Sequence, residues 1–159
     1  MVRIATDADV LSITLVARLT LEDAYRDILN IDVQSRFIED FYNASIIKNL
    51  IEDRKILVVE NEEKLTVGFL SLIIHEDACE IVSLYILPNY QMSGYGTELL
   101  NTLFQSDEIK AIFTDVESRN MPTQKFYARH GFIHEASYPQ DLYGQLTKLT
   151  RLRWERPQS

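Results

Sequence analysis

Between residues 91 and 97 the chain reads Gln91-Met92-Ser93-Gly94-Tyr95-Gly96-Thr97, a spacing of glycines and hydroxyls suited to holding an anion. Glycine lets the backbone curl so that successive N–H groups face one point, and the first N–H groups of a helix lack internal acceptors. The helix dipole adds positive partial charge at the same end, so a diphosphate can be held there even in an acidic protein. The turn carries no positive side chain, which leaves the holding to backbone amides and to the Ser93 and Thr97 hydroxyls. Taken alone, the pattern also fits a tight loop that does no more than start a helix. A dinucleotide fingerprint needs a third glycine where Leu99 stands, and a Walker loop needs Gly-Lys-Ser/Thr, which is absent.

Three more side chains have usable chemistry. Tyr127 has an ordinary phenol pKa of about 10, above the roughly 8.5 of a thiol, so it stays protonated beside one and can donate to it. It also fits simple packing beside Phe126. Asn120 can cap a helix with its oxygen while its amide nitrogen serves a ligand. Glu80 begins an apolar strand on the face that alternation gives to Val82, Leu84 and Ile86, where it reads either as a general base or as a solvated strand end. Cys79 is the sole cysteine and fits a small buried strand residue. The three histidines make no helical metal pair, and no metal is expected.

The elements that must position these groups follow from apolar periodicity. Val2 to Thr6 reads as a strand, and Asp7 caps a helix carrying Val10, Ile13, Ala17 and Leu21. Phe37, Phe41, Ile47 and Ile51 predict one further amphipathic helix. Lys55 to Glu60 and Leu65 to Ile74 flank a polar turn and predict an antiparallel hairpin. Cys79 to Leu87 is apolar on both faces, as a central strand is, and Pro88 stops it. From Gly94 a helix carries Tyr95, Leu99, Leu100, Leu103 and Phe104 on one stripe. Ala111 to Val116 is a strand, Asn120-Met121-Pro122 opens a helix ending at Gly131, and Phe132 to Ser137 and Lys148 to Trp154 are late strands. Pro139 to Gln145 reads as a surface loop.

The turn resembles the Q/R-x-x-G-x-G/A element of the GNAT acetyltransferases. Glu80-Ile81-Val82-Ser83-Leu84-Tyr85-Ile86-Leu87-Pro88 is similar to that family's central strand, and Asn120 with Phe126-Tyr127-Ala128-Arg129-His130-Gly131-Phe132 resembles its second cofactor motif. The resemblance implies one α+β (mixed α/β) domain over residues 1–159, with a central, mostly antiparallel twisted sheet of six to seven strands and about four flanking helices. It implies acetyl-CoA as co-substrate, an acetyl group passed by direct attack to a primary amine of a small molecule or peptide, and cofactor contacts from the Leu84, Tyr85 and Ile86 backbone, from Gln91, Met92, Ser93, Gly94, Tyr95, Gly96 and Thr97, and from Asn120 and Tyr127. Tyr127 would be the acid toward sulfur and Glu80 the base. Tyr25, Phe37, Phe41 and Tyr42 could line the amine pocket. A catalytically idle acyl-CoA sensor on the same fold remains open.

Composition bounds the rest. With 159 residues and 46% hydrophobic content the chain suits one compact core. The net charge of -8 argues against nucleic acid and favours, weakly, a cationic partner. No apolar run approaches the roughly 20 residues of a membrane span, no secretory leader is evident, and a cytoplasmic protein is expected. A homodimer through an exposed late strand is compatible with the pattern.

Overall fold

A computed structural model describes residues 1–76 and 78–158. Seven strands form one sheet in the order β1-β2-β3-β4-β5-β7-β6, comprising β1 (Val2–Ile4), β2 (Ile56–Glu60), β3 (Thr66–His75), β4 (Ala78–Ile86), β5 (Ala111–Glu117), β6 (Ile133–Leu142) and β7 (Gln145–Glu155). Every neighbouring pair is antiparallel except β4 and β5. A parallel pair needs a crossover, and the helix that starts at the glycine turn supplies it. The mostly antiparallel mixed fold is the one expected.

Helices α1 (Val10–Tyr25), α2 (Ile31–Phe41) and α3 (Ala44–Glu52) cover one face of the sheet, while α4 (Tyr95–Phe104) and α5 (Met121–Arg129) belong to the other. Each face has its own core. Ile13, Ala17, Ile47 and Ile51 pack with Val58 and Phe69 on the first, and Leu99, Leu100 and Leu103 pack with Val67, Leu70 and Ile112 on the second. Burying a side chain of this kind is worth about 1.5–3 kcal/mol, so both helix layers are held chiefly by these contacts.

Three expectations change. Asp7 does not cap α1: it lies in a 3₁₀ turn over Asp7–Asp9, and Asp9 is the carboxylate that accepts from the Thr6 amide, at 2.8 Å. The single helix predicted from Phe37 to Ile51 is two, because Asn43 caps α3 by accepting a hydrogen bond from the Ile46 amide at 3.0 Å. The break leaves Phe41 half exposed and turns Tyr42 into the core. The loop expected at Pro139 to Gln145 is instead the end of β6, a two-residue turn and the start of β7. Proline is tolerated there because β6 is a sheet edge, and Tyr143 (φ 52°) with Gly144 (φ 90°) makes a turn of the primed kind that joins antiparallel strands.

The end of α5 forms as predicted. Gly131 takes φ 91°, its amide donates to the Ala128 carbonyl at 3.1 Å, and the Phe132 amide donates to the Tyr127 carbonyl at 3.1 Å. This pair of hydrogen bonds closes the helix and folds Phe132 back on Tyr127, with ring centroids 5.0 Å apart. Among the described residues no helix is long and apolar enough to cross a membrane, and no group of three or more His, Cys, Asp or Glu side chains could hold a metal ion.

Candidate functional site

The site is a fork. β4 and β5 pair only from Ala78–Ala111 to Ile81–Thr114, after which β4 continues to Ile86 without β5 beside it. The buried Thr114 hydroxyl donates to the Ile81 carbonyl at 2.9 Å and fastens the last shared rung. A cleft of about 610 Å³ occupies the opening, with Leu84, Tyr85 and Ile86 on one wall and Thr114, Asp115 and Val116 on the other. Strand backbone left without a neighbour has to be satisfied by water or by a ligand, which makes the fork a place for an extended molecule with polar groups along its length.

At one end of the cleft lies the glycine turn. Gly94 is the N-cap of α4 at φ 91°, and the first α4 amide to find a helical acceptor is that of Glu98, 3.0 Å from the Gly94 carbonyl. The amides of Tyr95, Gly96 and Thr97 are therefore the ones a helix start leaves for an anion. A Cβ on Gly94 would meet nothing within 4 Å, so the space over the turn is open. A Cβ on Gly96 would lie 3.2 Å from the Phe126 ring, so this second glycine admits α5 against α4. Met92 also takes a positive φ, 62°, which is uncommon for a side chain of its size and adds to the curl of the turn. The Gln91 side-chain amide braces the turn from behind by donating to the Ile86 carbonyl at 2.9 Å, and Thr20 of α1 donates to that same carbonyl at 3.3 Å.

Tyr127 lines the cleft from α5 and is buried. Burial pushes its phenol well above the ordinary value, with a hydrogen bond to Thr114 opposing the rise. Asn120 lines the cleft too, and its side-chain oxygen caps α5 by accepting from the Thr123 amide at 3.4 Å. Across the opening, Tyr25 of α1 is pushed up to about 12 by burial, with Tyr42 and Glu117 adding and the Asn120 side chain opposing. Behind it the Tyr42 hydroxyl lies 2.6 Å from that of Ser83 and 3.0 Å from that of Tyr85.

A family model described as the acetyltransferase (GNAT) family matches residues 19–132. The chain belongs to the GNAT family. Solved structures with the same fold include PaiA N-acetyltransferase from Thermoplasma acidophilum in complex with coenzyme A, 21% identical over 98% of both chains at a TM-score of 0.85. YncA from Salmonella typhimurium, solved with its cofactor acetyl-CoA, is 19% identical at a TM-score of 0.74, covering 100% of this chain and 95% of that one. A point mutant of the SpeG spermidine N-acetyltransferase from Vibrio cholerae is 19% identical at a TM-score of 0.71, with 98% of this chain and 92% of that one covered. A comparison with curated protein sequences gives no match.

In this GNAT chain the fork gathers Leu84, Tyr85, Ile86, Gln91, Met92 and Gly94 with Tyr95, Gly96, Thr97, Asn120 and Tyr127. Ser93 and Glu80 are the expected residues outside the lining. The Ser93 hydroxyl donates to the Gln91 carbonyl at 3.4 Å, and the Glu80 carboxylate is 3.1 Å from His75 Nε2. Glu80 also changes face. Ser71 pairs with Ser83 but Leu72 pairs with Ile81, so Val82 is a bulge and the two-residue alternation fails there. Ile81 consequently shares its core with Leu84 and Ile86, while Tyr85 packs into the opposite core, and Glu80 lies on the Tyr85 side.

Sequence reasoning missed several groups at the fork. Thr114 was visible as a hydroxyl on the apolar face of β5, between Ile112 and Val116. Asp115 carries no signal in sequence, since its partners come from β7 and β6. Burial raises its carboxyl, but two hydrogen bonds from Arg151 at 3.0 Å and one from Tyr138 at 2.5 Å outweigh that and hold it below the ordinary range. The buried Glu117 is likewise engaged, accepting from the Arg119 amide at 2.5 Å and from its guanidinium at 3.0 Å. Arg119 in turn donates to the Ile28 carbonyl at 3.0 Å, which ties the α1–α2 connection over the cleft.

Proposed function

We propose that the protein is an acetyl-CoA-dependent N-acetyltransferase acting on a primary amine by direct attack in a ternary complex. The observation that carries this reading is the continuity of one cleft from the unpaired α4 amides, along the edge of β4 that β5 leaves beyond Ile81, to the buried Tyr127. Its length and polarity suit a molecule with a diphosphate at one end and a thioester at the other. Acetyl-CoA supplies an acetyl group already activated as a thioester.

The chain's own residues would then divide the work. The amides of Tyr95, Gly96 and Thr97, with the curl at Gly94, hold the diphosphate at the positive end of α4. The Leu84 to Ile86 backbone binds the amide-bearing arm in the manner of an added strand and fixes the position of the thioester carbonyl. Tyr127, whose proton is held tightly by burial, donates a hydrogen bond to the sulfur and stabilises the negative charge that grows on it as the carbon–sulfur bond breaks. The new carbon–nitrogen bond forms at the same carbon. The amine must shed a proton, and Glu80, on the sheet face away from α4 and α5, is the group proposed to receive it.

The acceptor enters on the Tyr25 and Tyr85 side, where aromatic rings and hydroxyls face the opening and the nearby carboxylates Asp115 and Glu117 already have arginine partners. SpeG, by its name, acts on spermidine; here an amine of small or peptide origin is proposed without further restriction. The test is thiol release from acetyl-CoA against a panel of amines, run in parallel with calorimetric binding of acetyl-CoA. Acetylation that requires Tyr127 supports the enzyme. Tight acetyl-CoA binding with no product across the panel would favour an acyl-CoA sensor.

A further inference from the structure

The first turn of α4 is hydrogen-bonded to a titratable side chain at the C-terminal end of α5. His130, the last residue before the Gly131 turn, lines the cleft beside Thr97, with Nε2 3.0 Å from the Thr97 hydroxyl and Nδ1 2.8 Å from the Phe126 carbonyl. A carbonyl can only accept, so Nδ1 carries a proton in every charge state. In the neutral ring Nε2 is then a bare acceptor, and the Thr97 hydroxyl must spend its one proton on it. That orientation presents only lone pairs toward the turn, which is the wrong face for an anion.

From this geometry we infer that cofactor binding and protonation of His130 are coupled through Thr97. The inference rests on the acetyl-CoA reading above. With a proton on Nε2, the ring donates to Thr97 Oγ1, and the hydroxyl proton is released to donate to a diphosphate oxygen. Donors then run outward from the ring, Nδ1–H to the Phe126 carbonyl on one side, and on the other Nε2–H to Thr97 and the Thr97 O–H to the diphosphate. The proton comes from solvent, no covalent bond between heavy atoms changes, and a positive charge arrives one hydroxyl away from a turn that has none of its own. His130 is a positioning residue in this scheme, since it acts on the ligand through Thr97.

The surrounding charges leave that role open. On α5 the neighbours are the exposed Lys125 and Arg129, neither of which offers the ring an acceptor. On α4 the Glu98 carboxylate is directed to the Met1 ammonium at 3.2 Å. On β7, Trp154 lies against Gly131, and the flanking Arg153 and Glu155 pair with each other at 3.2 Å. No carboxylate among the described residues is bonded to the imidazole, so the anion able to stabilise its charged form is the one that binds at the turn.

Calorimetry of acetyl-CoA binding to the full chain between pH 6 and pH 8, in buffers of different ionisation enthalpy, reads the coupling directly. The 3′-phosphate of the ligand titrates near pH ~6, and the variant His130→Gln subtracts its contribution. The wild type is expected to take up a proton on binding and to bind roughly tenfold more tightly at pH 6 than at pH 8 after that subtraction. Thr97→Val should lose the same uptake while His130 is still present. A nitrogen NMR spectrum of the wild-type imidazole needs no variant: the neutral ring should hold its proton on Nδ1, and at one fixed pH saturating acetyl-CoA should convert it to the doubly protonated form.

Equal proton uptake in the wild type, His130→Gln and Thr97→Val, or a neutral ring in the saturated complex, would overturn the coupling and leave the cofactor assignment standing. Absence of acetyl-CoA binding at every pH would remove the cofactor assignment, and this proposal with it.

Discussion

Gly94 separates the shape of the turn from its use, because a Cβ there meets no protein atom within 4 Å. Its φ of 91° lies in the left-handed region, and the space around its missing Cβ is empty to 4 Å. Gly94→Ala therefore adds no clash, and its cost is the backbone penalty of about 1–2 kcal/mol for a non-glycine residue in that conformation. In a chain of 159 residues each kcal/mol moves the melting temperature by about 2–4 °C. A fall of roughly 2–8 °C is expected by thermal denaturation. Gly94→Asn should recover part of it, since asparagine tolerates the left-handed region. Gly94→Trp has the same backbone cost but fills the open space over the α4 amides. Its affinity for acetyl-CoA should drop by at least tenfold, about 1.4 kcal/mol, with a melting temperature close to that of Gly94→Ala. Wild-type affinity in a folded Gly94→Trp would refute the placement of the diphosphate, and an unchanged melting temperature in Gly94→Ala would refute the left-handed turn.

Further outcomes concern the chemistry and the buried phenols. Tyr127→Phe removes one oxygen from a packed ring, so it should lower kcat by about 10²–10⁴ with little change in KM; full turnover under conditions where chemistry is rate-limiting would end the acid role. Glu80→Gln should lower kcat by about 10²–10⁴ and leave acetyl-CoA affinity as in the wild type, whereas unaltered turnover would assign the base elsewhere. Tyr25, Tyr42, Tyr85 and Tyr127 all have phenols raised by burial. Folding favours their neutral form, so the associated stability is complete below the ordinary value of about 10 and is lost as pH climbs from there through the raised values, at about 1.4 kcal/mol per pH unit for each phenol that ionises on unfolding. Urea unfolding from pH 8 to pH 11 should show a flat region followed by a steep decline, and a midpoint constant to pH 11 would contradict the burial of these rings.

What the sequence disclosed was local. The glycine turn, the α5 cap at Gly131 and the hairpin of β2 and β3 each depend on residues a few positions apart, and each formed where the pattern placed it. The strand faces beyond Val82 were not legible, because a bulge depends on the register with β3 and leaves no mark in the alternation of β4 itself. The same limit hid the Asp115–Arg151–Tyr138 cluster, assembled from three strands, and the bond between Thr97 and His130, which are 33 residues apart. Pro139 misled for a related reason: proline excludes a residue from a central strand, but only the sheet order shows that β6 is an edge.

The bulge gives the proposed chemistry its direction. Had β4 kept strict alternation, Glu80 would share a face with Leu84 and Ile86, and with it the core that contains Tyr127. Acid and base would then stand on one side of the sheet, the side that α4 and α5 fill. One extra residue at Val82 puts Glu80 on the other side, with Ser83 and Tyr85, while Tyr127 remains below. A thioester lying in the fork would meet its proton donor from the α5 face and its nucleophile from the α1 face. Such an arrangement allows the amine to approach the carbonyl carbon without crossing the path of the departing sulfur. It also explains why the Thr114 hydroxyl is bonded to Ile81 at the last shared rung: the strands must separate there and no earlier, or the two faces would lose their common opening.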